Sequence, residues 1–333
     1  MVYIYQKKIG EKKYYYLRIS ERKGEKIVVR DLAYLGNSIE RVKKALDSLS
    51  QYKQEIRKAH RTINLFLESN YYTDKIKKLK LKKDEFLEEK LIDVESCKFH
   101  YNEIFKKLNS LTQEDILKNF VIEFAFNTAA IEGNTITLKE ARNLIEEGFT
   151  PKNKTLREIY DIQNTQKTFF EILKLKKPIT SEFIISIHRK LMENIDSRIG
   201  FRTSDVRVIK SRFKASPAKY VKIDIEILIK WYNENKKQFH PLVLGALFHH
   251  KFEKIHPFFD GNGRTGRMLM NYILIREEYP PVIFKKKLRT FYLDALGKAD
   301  KTDLTSCDKN AYKELINFSA DSLVKGYWDI FLV

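Results

Sequence analysis

The stretch HPFFDGNGRTGR, His256 to Arg267, sets one histidine, one aspartate, one asparagine, three glycines and two arginines within twelve residues. Each of these has a use around a polyphosphate. Gly261 and Gly263 accept positive φ and let the backbone approach a ligand closely. Successive N–H groups in such a turn make an anion nest. A helix beginning near Gly263 aims its N-terminus at the same point, adding its dipole and unsatisfied donors. Arg264 and Arg267, three residues apart, leave one face of that helix's first turn, and each offers a planar fork to phosphate oxygens. Asp260 is a hard oxygen ligand of the kind Mg²⁺ takes alongside substrate phosphates. His256 titrates near neutrality, which suits a general base. Pro257 ends the preceding helix and turns the chain into the loop, and Phe258 reads as a core anchor. Base, metal ligand, oxyanion donors and two phosphate clamps together describe attack on a nucleoside polyphosphate.

Other phosphate cradles fit less well. A Walker A loop needs Lys-Ser or Lys-Thr after its last glycine and a strand before it, and neither is present. The Gly261-x-Gly263-x-x-Gly266 spacing follows a helix, which opposes a Rossmann turn. The motif instead resembles the signature of the Fic family, HPFx[D/E]GN[G/K]RxxR, at every fixed position. Flanking text agrees: His188-Arg-Lys-Leu-Met192, Gly200-Phe-Arg-Thr-Ser-Asp-Val-Arg207, His240-Pro-Leu and Phe248-His-His-Lys-Phe-Glu253 before it, Leu269-Met-Asn271 and Tyr279-Pro-Pro281 after it. The resemblance covers about residues 112–325.

This resemblance implies transfer of AMP from ATP to a Ser, Thr or Tyr hydroxyl of a protein, self-modification included, with release of pyrophosphate. It assigns His256 as the base and Asp260 as ligand of Mg²⁺ (or Mn²⁺). Asn262, with backbone N–H groups at Gly261 and Gly263, would hold the α-phosphate, where charge must be stabilised. Arg264 would meet the β-phosphate and Arg267 the γ-phosphate. The second arginine and the DGNG loop oppose the Doc-like phosphorylating branch; phosphocholine transfer stays open. Residues 205–217 resemble the β-hairpin flap that docks a target by strand addition, through Val206, Arg207, Val208 and Ile209. Leu293, Leu296 and Ala299 are candidates for an adenine wall and equally for helix core.

Thr128-Ala-Ala-Ile-Glu132-Gly133-Asn134 resembles the family's inhibitory motif, [S/T]xxxE[G/N], on an N-terminal helix. Glu132 paired with Arg267 would withdraw the arginine from the γ-phosphate and put negative charge where ATP needs positive, leaving the α-phosphate misaligned. Thr128, one turn back, would steady the contact, and Gly133 stops the helix. In some relatives this glutamate instead supports removal of AMP, so a de-AMPylating or bifunctional enzyme is an alternative.

The elements that must position these groups are mainly helical. The spacing predicts helices at 114–132 (Thr112 as cap), after the capping box Thr137-Leu-Lys-Glu140, and near 154–175, 180–194, 222–236, 240–254, 263–278 and 309–324. Residues 2–35 alternate apolar and basic types with turn signals at Gly10-Glu11 and Lys23-Gly24, a small three-stranded meander. Ser38 caps a helix from residue 39. The expected organisation is a β-meander at 1–36, a helical arm at 37–111 and a Fic-type helical core with a β-hairpin flap at 112–333, its inhibitory helix at 114–133.

The 333 residues carry a net charge of +19, with about +11 in residues 1–80. A nucleic-acid-binding regulator with an ATP-sensing core is therefore a further alternative, weakened because no helix-turn-helix pattern appears and a full catalytic set would go unused. Tyr14, Tyr15 and Tyr16, beside Lys12 and Lys13, would stack on bases or form a buried strand face. No apolar run approaches the ~18 residues of a membrane span. The two cysteines, far apart, argue against disulfides or zinc, so a cytoplasmic protein is expected, with homodimerisation possible in this family.

Overall fold

Period-two alternation from Val2 makes three antiparallel strands, β1 (Val2–Ile9), β2 (Lys12–Lys23) and β3 (Lys26–Gly36), in the order β1-β2-β3. The computed structural model describes residues 1–206 and 214–332. Val2, Ile4, Tyr15, Leu17 and Leu35 face helices α1 (Ile39–Ser48), α2 (Lys53–Lys58) and α3 (His60–Lys77), and meet Ile39, Val42, Ile63 and Leu67 there. Ser38 caps α1 by accepting from the Arg41 N–H at 3.3 Å. Met1–Leu81 forms one compact unit and Lys82–Phe331 a second. The segment read as one arm over 37–111 is thus divided. α1–α3 build the core under the sheet, whereas α4 (Lys90–Glu103) packs in the second unit against α13 (Lys309–Ile330).

The second unit surrounds two almost fully buried helices, α10 (Pro241–Ile255) and α11 (Asn262–Arg276). A helix apolar on all sides belongs at the centre of a bundle. α5 (Ser110–Ile131), α7 (Leu156–Ile172), α8 (Ser181–Leu191), α9 (Val221–Asn235) and α13 pack around the pair, α6 (Leu138–Glu146) packs on α5, and α12 (Arg289–Ala299) packs on α13 and reaches the pair through Tyr292. The capping box at Thr137 and Glu140 forms, and Thr155 with Glu158 makes a second. The cap of α5 is Asn109, not Thr112, because the Asn109 side chain accepts from the Thr112 N–H at 2.9 Å. No described helix is long and apolar enough to cross a membrane.

Candidate active site

The motif is the joint between α10 and α11, so the two most buried helices hold its ends. α10 ends on His256, whose backbone sits in the left-handed region at φ 51°. Such a conformation is costly for a side-chain-bearing residue and persists only where neighbours over-determine it. Arg202 does this. Its Nε donates to the His256 carbonyl at 2.8 Å, its N–H to the Pro257 carbonyl at 2.9 Å, and its Nη1 and Nη2 to the Ser204 and Ser216 carbonyls. One buried guanidinium thereby ties both ends of the 205–217 segment to the candidate base. Of the expected flap residues, Val206 is half-buried; Arg207, Val208 and Ile209 lie outside the described residues. Burial pushes the His256 imidazole below its ordinary pKa and the Arg202 cation adds to this, so the ring is neutral at neutral pH.

The loop folds back on itself. Asn262 accepts from the Phe258 N–H at 2.9 Å and donates to the Phe258 carbonyl at 2.8 Å. Its side chain is thereby committed to the loop, which leaves its backbone N–H rather than its amide for an anion. Gly261 lies at φ 76°, and a Cβ there would meet Met192 Sδ at 2.6 Å. One turn from Met192, His188 stacks on Phe258 at 3.6 Å and its Nε2 pairs with the Asp260 carbonyl at 2.9 Å. α8 is thus the floor of the loop. Behind it, the first-turn amides of α11 have no partner within their own helix.

Asp260 accepts from the Gly261 N–H at 2.6 Å, pairs with Arg157 at the start of α7 and lies 3.6 Å from Arg264 Nη2. Burial raises its pKa, but Arg264 and Arg157 outweigh this and hold the carboxyl below its ordinary value. A lone carboxylate beside an anion-binding turn fits Mg²⁺, which completes its shell with phosphate oxygens and water. Arg264 is buried in an ion pair with Asp161 and does not project freely from the helix. Arg267, on the other side of Gly263, donates from Nε to Thr128 Oγ1 at 2.7 Å and from Nη2 to Glu132 Oε1 at 2.7 Å and the Thr128 carbonyl at 3.1 Å. A Cβ at Gly263 would run into that same Glu132 carboxylate. The carboxylate therefore occupies the mouth of the cradle.

Glu132 is placed there by the end of α5. Gly133, at φ 104°, lets the Gly133 and Asn134 N–H groups return to the Ala130 and Ala129 carbonyls at 3.2 and 3.1 Å, a Schellman close. Asn134 then donates to the Glu158 carbonyl and to Asp161, the partner of Arg264. The α5 terminus and the phosphate loop thus share one hydrogen-bonded set.

Sequence reasoning did not single out Arg202, Arg157, Asp161 or Tyr292. Tyr292 lies 3.4 Å from Arg267 Nη1 and pairs with His249 Nε2 at 2.6 Å. The one available signal was an aromatic inside the TFYLDAL helix. Of the adenine-wall candidates Leu293, Leu296 and Ala299, Leu293 is 39% exposed and Ala299 is fully buried. On α12 it is Tyr292, Ala295 and Ala299 that face inward.

Beyond His249 lies Glu253, whose Oε1 is buried without a hydrogen-bond partner. Burial pushes this carboxyl up to about 8. Its folded value exceeds its unfolded one, so the unfolded chain binds fewer protons between them and stability falls as pH rises through that window. Glu253→Gln is accordingly expected to melt above the parent protein at pH 8, with the gap closing towards pH 5. Melting curves at the two pH values check this.

Comparison with known proteins bears on family and fold. Residues 178–274 match the model of the Fic/DOC family. Protein adenylyltransferase Fic of Aedes aegypti is 35% identical over 198 residues, 56% of this chain and 38% of that protein. Protein adenylyltransferase fic-1 of Caenorhabditis elegans is 31% identical over 208 residues, 60% of this chain and 41% of that protein. The chain thus spans about two fifths of the length of these relatives. Among solved structures, a Fic domain containing signaling protein from Bacteroides thetaiotaomicron superposes with a TM-score of 0.65 at 23% identity, covering 71% of this chain and 95% of that one. Fic-1 (residues 134–508) from C. elegans gives 0.60 at 22%, covering 88% and 92%. These likenesses carry the fold.

Proposed function

We propose that this chain, a Fic/DOC-family protein, is an autoinhibited protein adenylyltransferase that moves AMP from ATP onto a protein hydroxyl. The observation that carries the reading is the joint between α10 and α11, where the candidate base His256, the first-turn amides of α11 and the Asp260 carboxylate lie together. The target hydroxyl loses its proton to the His256 imidazole and its oxygen bonds to the α-phosphorus. The bond from that phosphorus to the bridging oxygen breaks, and pyrophosphate leaves with the electron pair. The first-turn amides of α11 meet the charge that develops on the α-phosphate. Asp260 would hold Mg²⁺, which when bound neutralises the phosphates.

Arg267 is the intended partner of the γ-phosphate, and Glu132 is its resting partner. ATP bound against that pair misplaces its α-phosphate, and a shift of about 1 Å costs on the order of 100-fold in rate. The flap ends held by Arg202 present an extended target segment to His256.

The test is incubation with ATP labelled at the α- or at the γ-phosphate. AMP transfer leaves only the α-label on protein. Retention of the γ-label would mean phosphorylation, and retention of neither would remove the transferase reading.

A further inference from the structure

The sheet of the N-terminal unit has two unlike faces. Val2, Ile4, Tyr15, Leu17 and Leu35 turn towards α1–α3 and form the core there. Alternation turns their neighbours the other way. The opposite face carries five tyrosines, Tyr3 and Tyr5 on β1, Tyr14 and Tyr16 on β2, and Tyr34 on β3. None belongs to the core under the sheet, and Tyr34 is 55% exposed. Tyr34 lies 5.3 Å from Tyr16 and 6.5 Å from Tyr14, ring centre to ring centre. Tyr5, paired in register with Tyr16, has the Arg18 guanidinium 3.5 Å from its ring centre.

The same face is basic. Lys7 stands opposite Tyr14, and β2 sends Lys12, Arg18 and Arg22 to this side at even spacings of six and four residues. Asp31, bonded to Arg18 at 2.6 Å, is the acid among them. The β2–β3 hairpin runs on beyond the start of β1 at Val2, with Arg22 and Ile27 exposed near its tip.

A ligand for this face must offer flat apolar surfaces and regular negative charge together. An acidic polypeptide supplies the charge without the planes. A nucleic-acid duplex supplies the charge but keeps its base faces stacked inside. An unpaired strand supplies both, since every base has a π-face and every step a phosphate. We propose that the open face of the N-terminal sheet binds single-stranded nucleic acid, its tyrosines stacking on bases and Lys7, Lys12, Arg18 and Arg22 meeting phosphates.

The test is fluorescence anisotropy of the full chain with labelled oligo(dT) of about 20 nucleotides and with the matching dT·dA duplex. The single strand is expected to bind in preference, with a slope of log K against log[salt] of about −3, from four phosphates at about 0.7 each. Tyr16→Leu/Tyr34→Leu keeps the sheet's apolar cover and is expected to weaken binding about 10-fold or more. Tyr16→Phe/Tyr34→Phe is expected to keep it, because stacking needs the ring and not the hydroxyl. Lys7→Gln/Arg22→Gln is expected to flatten the salt slope by about 1.4, from two phosphates at about 0.7 each. Equal binding of duplex, displacement of the oligonucleotide by saturating ATP, equal binding of polyglutamate, or a folded Leu variant that binds as the parent does would each overturn the proposal. If the Leu variant does not fold, an unchanged salt slope in the Gln variant overturns it alone.

Discussion

Glu132→Gly is expected to raise incorporation of α-label into protein by about 100-fold under matched ATP and Mg²⁺. The carboxylate sits 2.7 Å from Arg267 Nη2 and fills the space against Gly263. Removing it acts twice. It returns the guanidinium to an incoming γ-phosphate, and it takes a negative charge away from the helix N-terminus that the phosphates need. Thr128 stays behind, still holding Arg267 Nε at 2.7 Å, so the arginine remains aimed into the cradle. Glycine is also accepted at this position, since Glu132 ends α5 and lies outside its last full turn. A rate equal to that of the parent protein would remove the autoinhibition reading and leave the transferase reading standing.

His256→Ala, introduced into the Glu132→Gly background, is expected to lower that rate by about 10²–10⁴-fold. The released background matters, because a loss cannot be measured from a nearly silent enzyme. Binding of ATP is expected to survive, since the proposed phosphate contacts are the first-turn amides and Arg267 of α11 and not the imidazole. Titration with a fluorescent ATP analogue separates the two effects. The pH profile of the released enzyme carries the same information. Burial and Arg202 hold the imidazole below its ordinary value, so the acid limb of kcat/KM is expected below the usual histidine range. An undiminished rate in the alanine variant would move the base elsewhere.

Much of this site was legible because the loop is local. Twelve consecutive residues from His256 to Arg267 hold the candidate base, the carboxylate, the glycines and both arginines, and backbone geometry at that range follows from residue type. The α5 stop was legible for the same reason, a glycine after Glu132 that only a left-handed close requires. The helices around the joint were readable from period and caps, with errors of a few residues where Asn109 rather than Thr112 took the cap.

What sequence could not supply were the partners brought from afar. Arg202, Arg157 and Asp161 stand 54, 103 and 103 residues from the groups they hold, and no local pattern marks an arginine as a clasp. Their role exists only once helix packing sets their charges where a backbone or carboxylate needs one. The same holds for Asn262 and Arg264. Their types announce phosphate binding, but the folded chain gives the Asn262 amide to Phe258 and the Arg264 guanidinium to Asp161. The chemistry on offer was thus set by residue types at short spacing. Which side chains are free to perform it was decided by packing, because a buried polar group must take whatever partner the fold brings to it.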